Sequence, residues 1–423
     1  MAMNAEYDKL IQIGRPPNIT RRFPHSKALI VSGKVIDRAL LAKGKAMTIA
    51  ANGRNSFIIR GALQAAQRAD AALIIEIARS ECNYCPVNFY NIAMHVDVLC
   101  NELGITVPVA VHADHYGIKS EIDLPFARME IPSIFDAGIT SIAVDASHMP
   151  DDMNLLANIE LNTFIPDWAG LETEVGEIKG DMGLSTVEDA SFLIKGLNAH
   201  GIHPDWIALN NGTSHGLEVS GLGIQVDLTT GIHNAIAPYG VSGAQHGTSG
   251  NSSDKLRAIA ENTNTTKANV ATALQMISWG VEVNDYGNAI LDTDGNFKKI
   301  KDQGMSEEMW ERMTALAAKN GWKGGNYKNL NLPFDNFLHA QDRAIRDRMS
   351  KGVEDFVYDI LTKVFNAEGT ASLAKEAILQ AGSYDLGPKG KKIEDPAEWT
   401  REMIIKRAKT LTTDKGPEGD FDD

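Results

Sequence analysis

The chain has 423 residues, 43% of them hydrophobic and 23% charged, with 37 glycines and 15 prolines. These proportions exclude a mainly disordered, collagen-like or fibrous chain, and the length suits one large α/β barrel with an appendage or two ordinary domains. Lys and Arg number 41 against 55 Asp and Glu, a net charge of −14 with no basic block, so a polyanion such as DNA meets long-range repulsion. A small phosphate is still allowed, because a few oriented donors override the global field at short range.

Three cysteines, Cys82, Cys85 and Cys100, are too few and odd in number for a disulfide framework, which points to a reducing cytoplasm. Met1 to Leu10 contains Glu6 and Asp8 and no apolar stretch, so no signal peptide is expected. The most apolar run, near Ala71 to Ala78, is broken by Glu76 and falls far short of the roughly 20 residues of a bilayer helix.

After an N-terminal segment, 1–26, short apolar runs alternate with segments of helical period. Strands are predicted at 45–51, 72–78, 107–112, 141–145, 171–175, 206–209, 241–245 and 279–283, most with a polar residue just past the C-terminal end. Helices are predicted between them, for example over 56–68 and over 187–199. The second is opened by Ser185 and Thr186 with Glu188 and Asp189 in its first turn. Eight βα units with near-continuous apolar strands predict a closed (β/α)8 TIM barrel over 27–365, with a doubly wound open sheet as the alternative. Asp292 to Gly295 reads as a hairpin turn rather than a calcium loop, since the glycine comes too early and no carboxylate follows. A C-terminal extension, 366–423, is punctuated by Gly, Lys and Pro, carries a helix-like stretch around 394–411, and ends in an acidic tail, 418–423, expected to be disordered.

The histidines cluster at strand ends. His112-Ala113-Asp114-His115 follows the third strand, Gly212-Thr213-Ser214-His215-Gly216 the sixth, and His246-Gly247-Thr248-Ser249-Gly250 the seventh. In a barrel these ends share one rim, where active sites sit, and three imidazoles with an open position suit a catalytic divalent metal such as zinc. Gly216, Gly247 and Ser249 can present N–H and hydroxyl donors to a phosphate, although each glycine alone also suits a tight turn. Cys82-x-x-Cys85 lacks a second pair to complete a metal site. Arg54, Asn55 and Arg79 on the rim read equally as phosphate contacts or as solvated loop charge.

These motifs, with Leu-Glu-x-Glu-x-Gly at 171–176, occur in the order of the class II, zinc-dependent aldolases acting on fructose or tagatose bisphosphate, and the chain resembles that family over roughly residues 27–365. The resemblance implies that His115, His215 and His246 bind the metal, with Glu174 supporting it and His112 and Asp145 lining an alternative metal position. It makes Asp114 the acid/base at the hydroxyl of the cleaved bond, and Gly216, Gly247 and Ser249 the phosphate cradle. A divalent metal, with a monovalent cation as a further candidate, stabilises the charge left when the C3–C4 bond breaks. A lysine Schiff base is the other solution, and no strand end shows an obvious lysine.

Two departures stand out. The family's loop after the fifth strand carries a glutamate that exchanges the triose phosphate proton; here Glu177 and Asp181 are the candidates, in Glu177-Ile178-Lys179-Gly180-Asp181. After the eighth strand the family has Asn-x-Asp-Thr-Asp, which the predicted strand aligns with the segment around Asn284, leaving the phosphate-binding threonine without a counterpart. The resemblance implies a cytoplasmic homo-oligomer, dimer or tetramer, that cleaves a phosphorylated ketose, fructose 1,6-bisphosphate foremost, to dihydroxyacetone phosphate and glyceraldehyde 3-phosphate. The partner is a small sugar phosphate, with no nucleic acid and no membrane. The rivals are a barrel metal-dependent hydrolase and a non-catalytic sugar-phosphate-binding descendant.

Overall fold

A strand that is apolar on both sides must be covered on both faces, and here that requirement is met by closing the sheet on itself. The computed structural model describes residues 2–176, 183–213, 223–249, 251–284, 287–293 and 295–411. Its eight strands are β1 (Thr48–Asn52), β2 (Leu73–Ala78), β3 (Val109–Gly117), β4 (Ser141–Asp145), β5 (Gly170–Val175), β6 (Trp206–Leu209), β7 (Ser242–Gln245) and β8 (Thr265–Val270). They pair in parallel in sequence order, and β1 pairs with β8, so the expected TIM barrel is closed. Six of the strands, all but β3 and β8, are buried at every residue.

The helices between them begin where the sequence supplies caps. Asn55 accepts from the N–H groups of Phe57 and Ile58 at the start of helix Ser56–Ala69. Thr186 and Asp189 form a reciprocal capping box at Val187–Ala199, the range predicted. The turn expected at Asp292 is a hairpin turn: Leu291 pairs with Phe297, and the Asp292 N–H donates to the Asn296 carbonyl. Among the described residues no helix is long and apolar enough to cross a membrane.

The eighth strand corrects the sequence reading. It is Thr265–Val270, while 279–283 begins with the last residue of helix Thr272–Trp279, continues through Gly280 at φ 81°, and then makes isolated antiparallel bridges. The reason is physical. Lys267 and Asn269 of β8 bond to acidic groups of other strands at the barrel centre, so the strand lacks the apolar signature of β1 to β4 and β6.

The barrel floor is closed twice. Helix Gly33–Lys43 lies across the N-terminal strand ends, and only a glycine fits at its start: a Cβ on Gly33 would come within 2.6 Å of Ser141 Oγ. Beneath it runs the chain that follows helix Thr370–Ala381. Arg38 donates to the Gly387 carbonyl at 2.8 Å, and Lys389 Nζ reaches the Asp205 carbonyl at 2.9 Å, Ser242 Oγ at 2.6 Å and the Asp37 carboxylate. The Asn198 side chain binds three backbone groups of the same segment, at Lys391, Ile393 and Glu394. The stretch predicted at 394–411 forms a short turn of helix at Pro396–Trp399 and the helix Arg401–Ala408; the acidic tail lies outside the described residues.

Candidate active site

Adjacent residues on a regular strand point to opposite faces, yet Asp114 and His115 both reach the same cavity. A β-bulge allows it. Ala113 pairs with Ile142 but Tyr116 with Val144, so three steps along β3 match two along β4, and His115 within that step has φ 40°. A positive φ on a residue with a Cβ is strained, and here it turns the imidazole toward β4 and β5. His115 Nδ1 then lies 3.0 Å from Glu174 Oε1 and 3.4 Å from Asp145 Oδ2. A carboxylate on Nδ1 fixes the proton there and leaves Nε2, 4.0 Å from Asp114 Oδ2, as the donor nitrogen.

His246, just past β7, meets His115 edge to face with ring centroids 4.4 Å apart. Its Nε2 is 2.8 Å from Glu172 Oε1, while its Nδ1 is buried and makes no hydrogen bond among the described residues. An unprotonated, buried and unpartnered ring nitrogen costs about 1–3 kcal/mol of desolvation unless something binds it, and a cation is the natural occupant. The donor atoms of Asp114, His115 and His246 lie within 4.8 Å of one another, as do those of His115, Asp145 and Glu174 and those of Glu172, Glu174 and His246. These overlapping sets of imidazole and carboxylate fit a divalent metal.

The electrostatics agree. Burial pushes the Asp114 carboxyl up, but His115 and Lys267 outweigh it and hold the group below its ordinary value, so it is an ionised base. Asp145 is likewise held at about 2, burial being outweighed by its bond to His115. Burial and then the Asp145 charge drive Glu174 well above the carboxylate range. One added positive charge would reverse that, another sign that the pocket is built around a cation.

Beneath these groups lies a side chain that sequence reasoning missed. Lys267 is completely buried, with Nζ 2.8 Å from Glu172 Oε2, 3.1 Å from His112 Nε2, 3.3 Å from Glu76 Oε2 and 3.5 Å from Asp114 Oδ1. β8 therefore carries a lysine, in mid-strand rather than at the strand end expected of a Schiff-base lysine. Its carboxylates hold it charged, its pKa lying above the usual lysine range despite burial, and an ammonium is not a nucleophile for a Schiff base. Glu172, Glu76 and Asn269 were also missed, and Asn269 Nδ2 donates to Asp114 Oδ1 at 2.9 Å. The signal for Glu172 was its spacing of two from Glu174, which puts both on one face of β5.

The remaining predicted residues divide as follows. His112 faces Lys267 through Nε2 and Ser141 Oγ through Nδ1 (2.8 Å), and burial followed by the Lys267 charge lowers its pKa to about 3. It shares a possible ligand group with Glu76 and Asp114, and Asp145 shares one with His115 and Glu174, so the two are not brought together. Gly247, at φ 58°, and Ser249 lie in the loop leading to helix Ser253–Asn262. Asn284 is in a turn, its side chain accepting from the Asn288 N–H, and in the chain it lies beyond helix Thr272–Trp279 rather than at the end of β8. At that end the sequence is Asn269-Val270-Ala271-Thr272-Ala273, so Asn and Thr of the family pattern are present and both aspartates are alanine. Thr272 thus stands at the position of the threonine in the family pattern. His215, Gly216, Glu177 and Asp181 lie outside the described residues.

The three other rim residues have partners within the protein. Arg54 is buried in contacts with Glu81 (2.6 Å) and Gln275 (3.0 Å), Asn55 caps a helix, and Arg79 lies over the Tyr116 ring and pairs with Glu130 at 3.1 Å. Cys82 and Cys85 are unbridged thiols, Cys82 pushed up to about 12 by burial.

Comparison with known proteins gives a consistent answer. The profile of the family described as fructose-bisphosphate aldolase class II matches residues 34–321. The fructose-bisphosphate aldolase of Staphylococcus epidermidis is 30% identical over 134 residues, covering 30% of this chain and 42% of that one, so the match spans about two fifths of that relative. The fructose-bisphosphate aldolase of Streptococcus pneumoniae is 28% identical over 224 residues, covering 51% of this chain and 69% of that one. Among solved structures, the YdjI aldolase of Escherichia coli K12 has a TM-score of 0.53 at 17% identity, covering 81% of this chain and 99% of that one. The fructose-bisphosphate aldolase of Campylobacter jejuni has a TM-score of 0.52 at 18% identity, covering 81% and 97%. Both share the fold.

Proposed function

The chain belongs to the class II fructose-bisphosphate aldolase family, and from that premise we propose that it is a metal-dependent aldolase cleaving a phosphorylated ketose, fructose 1,6-bisphosphate foremost, reversibly to dihydroxyacetone phosphate and glyceraldehyde 3-phosphate. The observation that carries the reading is the pairing of His115 and His246 beside ionised Asp114, with the buried Nδ1 of His246 left without a hydrogen bond among the described residues.

His115 and His246, with His215 as the third imidazole and Glu174 and Asp145 behind His115, would hold a divalent metal, zinc in the family. When bound, that ion supplies a Lewis acid for the charge that develops on the substrate's ketone and hydroxyl oxygens. The protein's own groups do the rest. Asp114 takes the proton of the hydroxyl beside the breaking carbon–carbon bond; that carbon departs as the aldehyde, and the bonding electron pair stays on the triose phosphate carbon. Asn269 holds Asp114 Oδ1, which leaves Oδ2 on the His115 side to meet the hydroxyl. Gly247, Ser249 and Gly216 cradle the phosphate, joined by Thr272 at the start of its helix, and Asp181 or Glu177 returns a proton to the carbon. The reading includes a cytoplasmic homo-oligomer.

The test is metal analysis of the purified protein together with cleavage of fructose 1,6-bisphosphate, tagatose 1,6-bisphosphate and fructose 1-phosphate. Chelation is expected to abolish triose phosphate release and added zinc to restore it. Full activity in metal-free protein, or no cleavage of any phosphorylated ketose, refutes the proposal.

A further inference from the structure

Lys267 is completely buried, yet it reaches the carboxylates and an imidazole of the site above it. Its ammonium has three protons. One goes to Glu172 Oε2 at 2.8 Å and one to His112 Nε2 at 3.1 Å, and the third points between Glu76 Oε2 at 3.3 Å and Asp114 Oδ1 at 3.5 Å. Glu172 is the informative partner. With Oε2 gripped by Lys267, its Oε1 is the atom 2.8 Å from His246 Nε2, and that contact places the His246 proton on Nε2 and leaves Nδ1 unprotonated. The same ammonium reaches Asp114 Oδ1, the oxygen that Asn269 also binds, so Oδ2 remains on the His115 side.

We infer that Lys267 is a positioning residue for both halves of the site: through Glu172 it fixes the tautomer and aim of His246, and together with Asn269 it fixes which oxygen Asp114 presents. The inference rests on the metal-dependent reading above. A carboxylate alone would hold a histidine by one bond and swing about it. A carboxylate pinned at its other oxygen by a buried ammonium has a single orientation, because every alternative leaves an unpaired charge in a dry interior. The lysine stem adds rigidity, since the side chain is fully enclosed. Simple charge balance makes a different prediction: if Lys267 only neutralises Glu172, removing both charges together restores the site.

The experiment compares wild type, Lys267→Met and the double variant Lys267→Met/Glu172→Gln by Co2+ affinity in competition with a chelating dye, by the visible spectrum of bound Co2+, and by kcat and KM. In Lys267→Met, Co2+ affinity is expected to fall 10- to 100-fold, as for other partners that orient a metal ligand. Its spectrum shifts, and kcat falls while KM changes little. The double variant removes the Glu172 charge together with the ammonium and is expected to keep the weakened affinity and altered spectrum. Wild-type affinity and spectrum in Lys267→Met, or their recovery in the double variant, overturns the inference in favour of charge balance. A wild-type protein that binds no Co2+ overturns the metal-dependent reading, and this inference with it.

Discussion

Replacing Lys389 by methionine keeps an aliphatic stem of similar length and removes the ammonium that the C-terminal segment inserts into the barrel floor. In the native protein that ammonium is almost enclosed, its side chain 8% exposed, against an Asp37 carboxylate that is fully buried. Asp205 is buried beside it, and burial raises its carboxyl to about 6 even though Lys389 pulls it down. Without Lys389 the cation left beside both carboxylates among the described residues is Arg38, at 3.7 Å from Asp37 and 3.6 Å from Asp205, and the Ser242 hydroxyl loses its donor. Leaving a buried charge without its partner is worth roughly 3–5 kcal/mol of destabilisation. A chain of this size unfolds with a urea slope of at least about 3 kcal/mol per M, so the midpoint is expected to drop by about 1 M. Urea titration followed by far-ultraviolet circular dichroism and by tryptophan fluorescence reads this; Trp206 lies beside the floor, bonded through Nε1 to Thr266, whose hydroxyl in turn binds Asp37. The double variant Lys389→Met/Asp37→Asn is expected to recover most of the loss, because no unpaired charge remains. An unchanged midpoint in Lys389→Met would show that Arg38 alone satisfies the two carboxylates and that the segment does not clamp the floor.

Two further outcomes follow from the geometry. Asp114→Ala is expected to keep the bound metal and lose 10²- to 10⁴-fold in kcat, the usual range for an acid/base group; equal losses of metal and rate would make Asp114 a support for His115 instead. His233 is buried behind β7 and accepts the Asn264 N–H on Nδ1 at 3.2 Å, and burial lowers its pKa from 6.5 to about 4. The folded state thus refuses a proton that the unfolded chain takes up, so stability is level above pH 6.5, declines as pH falls toward 4 and levels again, by roughly 3 kcal/mol in all. His233→Asn keeps an acceptor without the titration, and the difference in unfolding free energy between wild type and variant should show that slope; a flat difference across the window refutes it.

How far the sequence could be read depended on what each strand packs against. Strands β1 to β4 and β6 carry runs of Val, Ile, Leu and Ala that mark them within a few residues. The eighth carries Lys267 and Asn269 into a charged interior, so hydrophobicity does not mark it where its chemistry is most concentrated, and the nearest apolar run is the end of helix Thr272–Trp279. That one displacement moved the predicted phosphate residue to Asn284 and hid Asn269, Thr272 and the buried lysine together. The histidines were legible because glycine-flanked imidazoles at strand ends have few structural uses, but the nitrogen each one offers was not. Which nitrogen is bared depends on Glu174 for His115 and on Glu172 for His246, contacts set by the bulge at Asp114–His115 and by the register of β5 against β6. The same limit hid the floor clamp: Lys389 and Asp37 are 352 positions apart, and a lysine among glycines and prolines reads as solvated surface until the chain is folded back beneath the barrel. Polar residues that build a buried site carry the weakest local signal, because the groups that make their burial tolerable come from the other side of the fold.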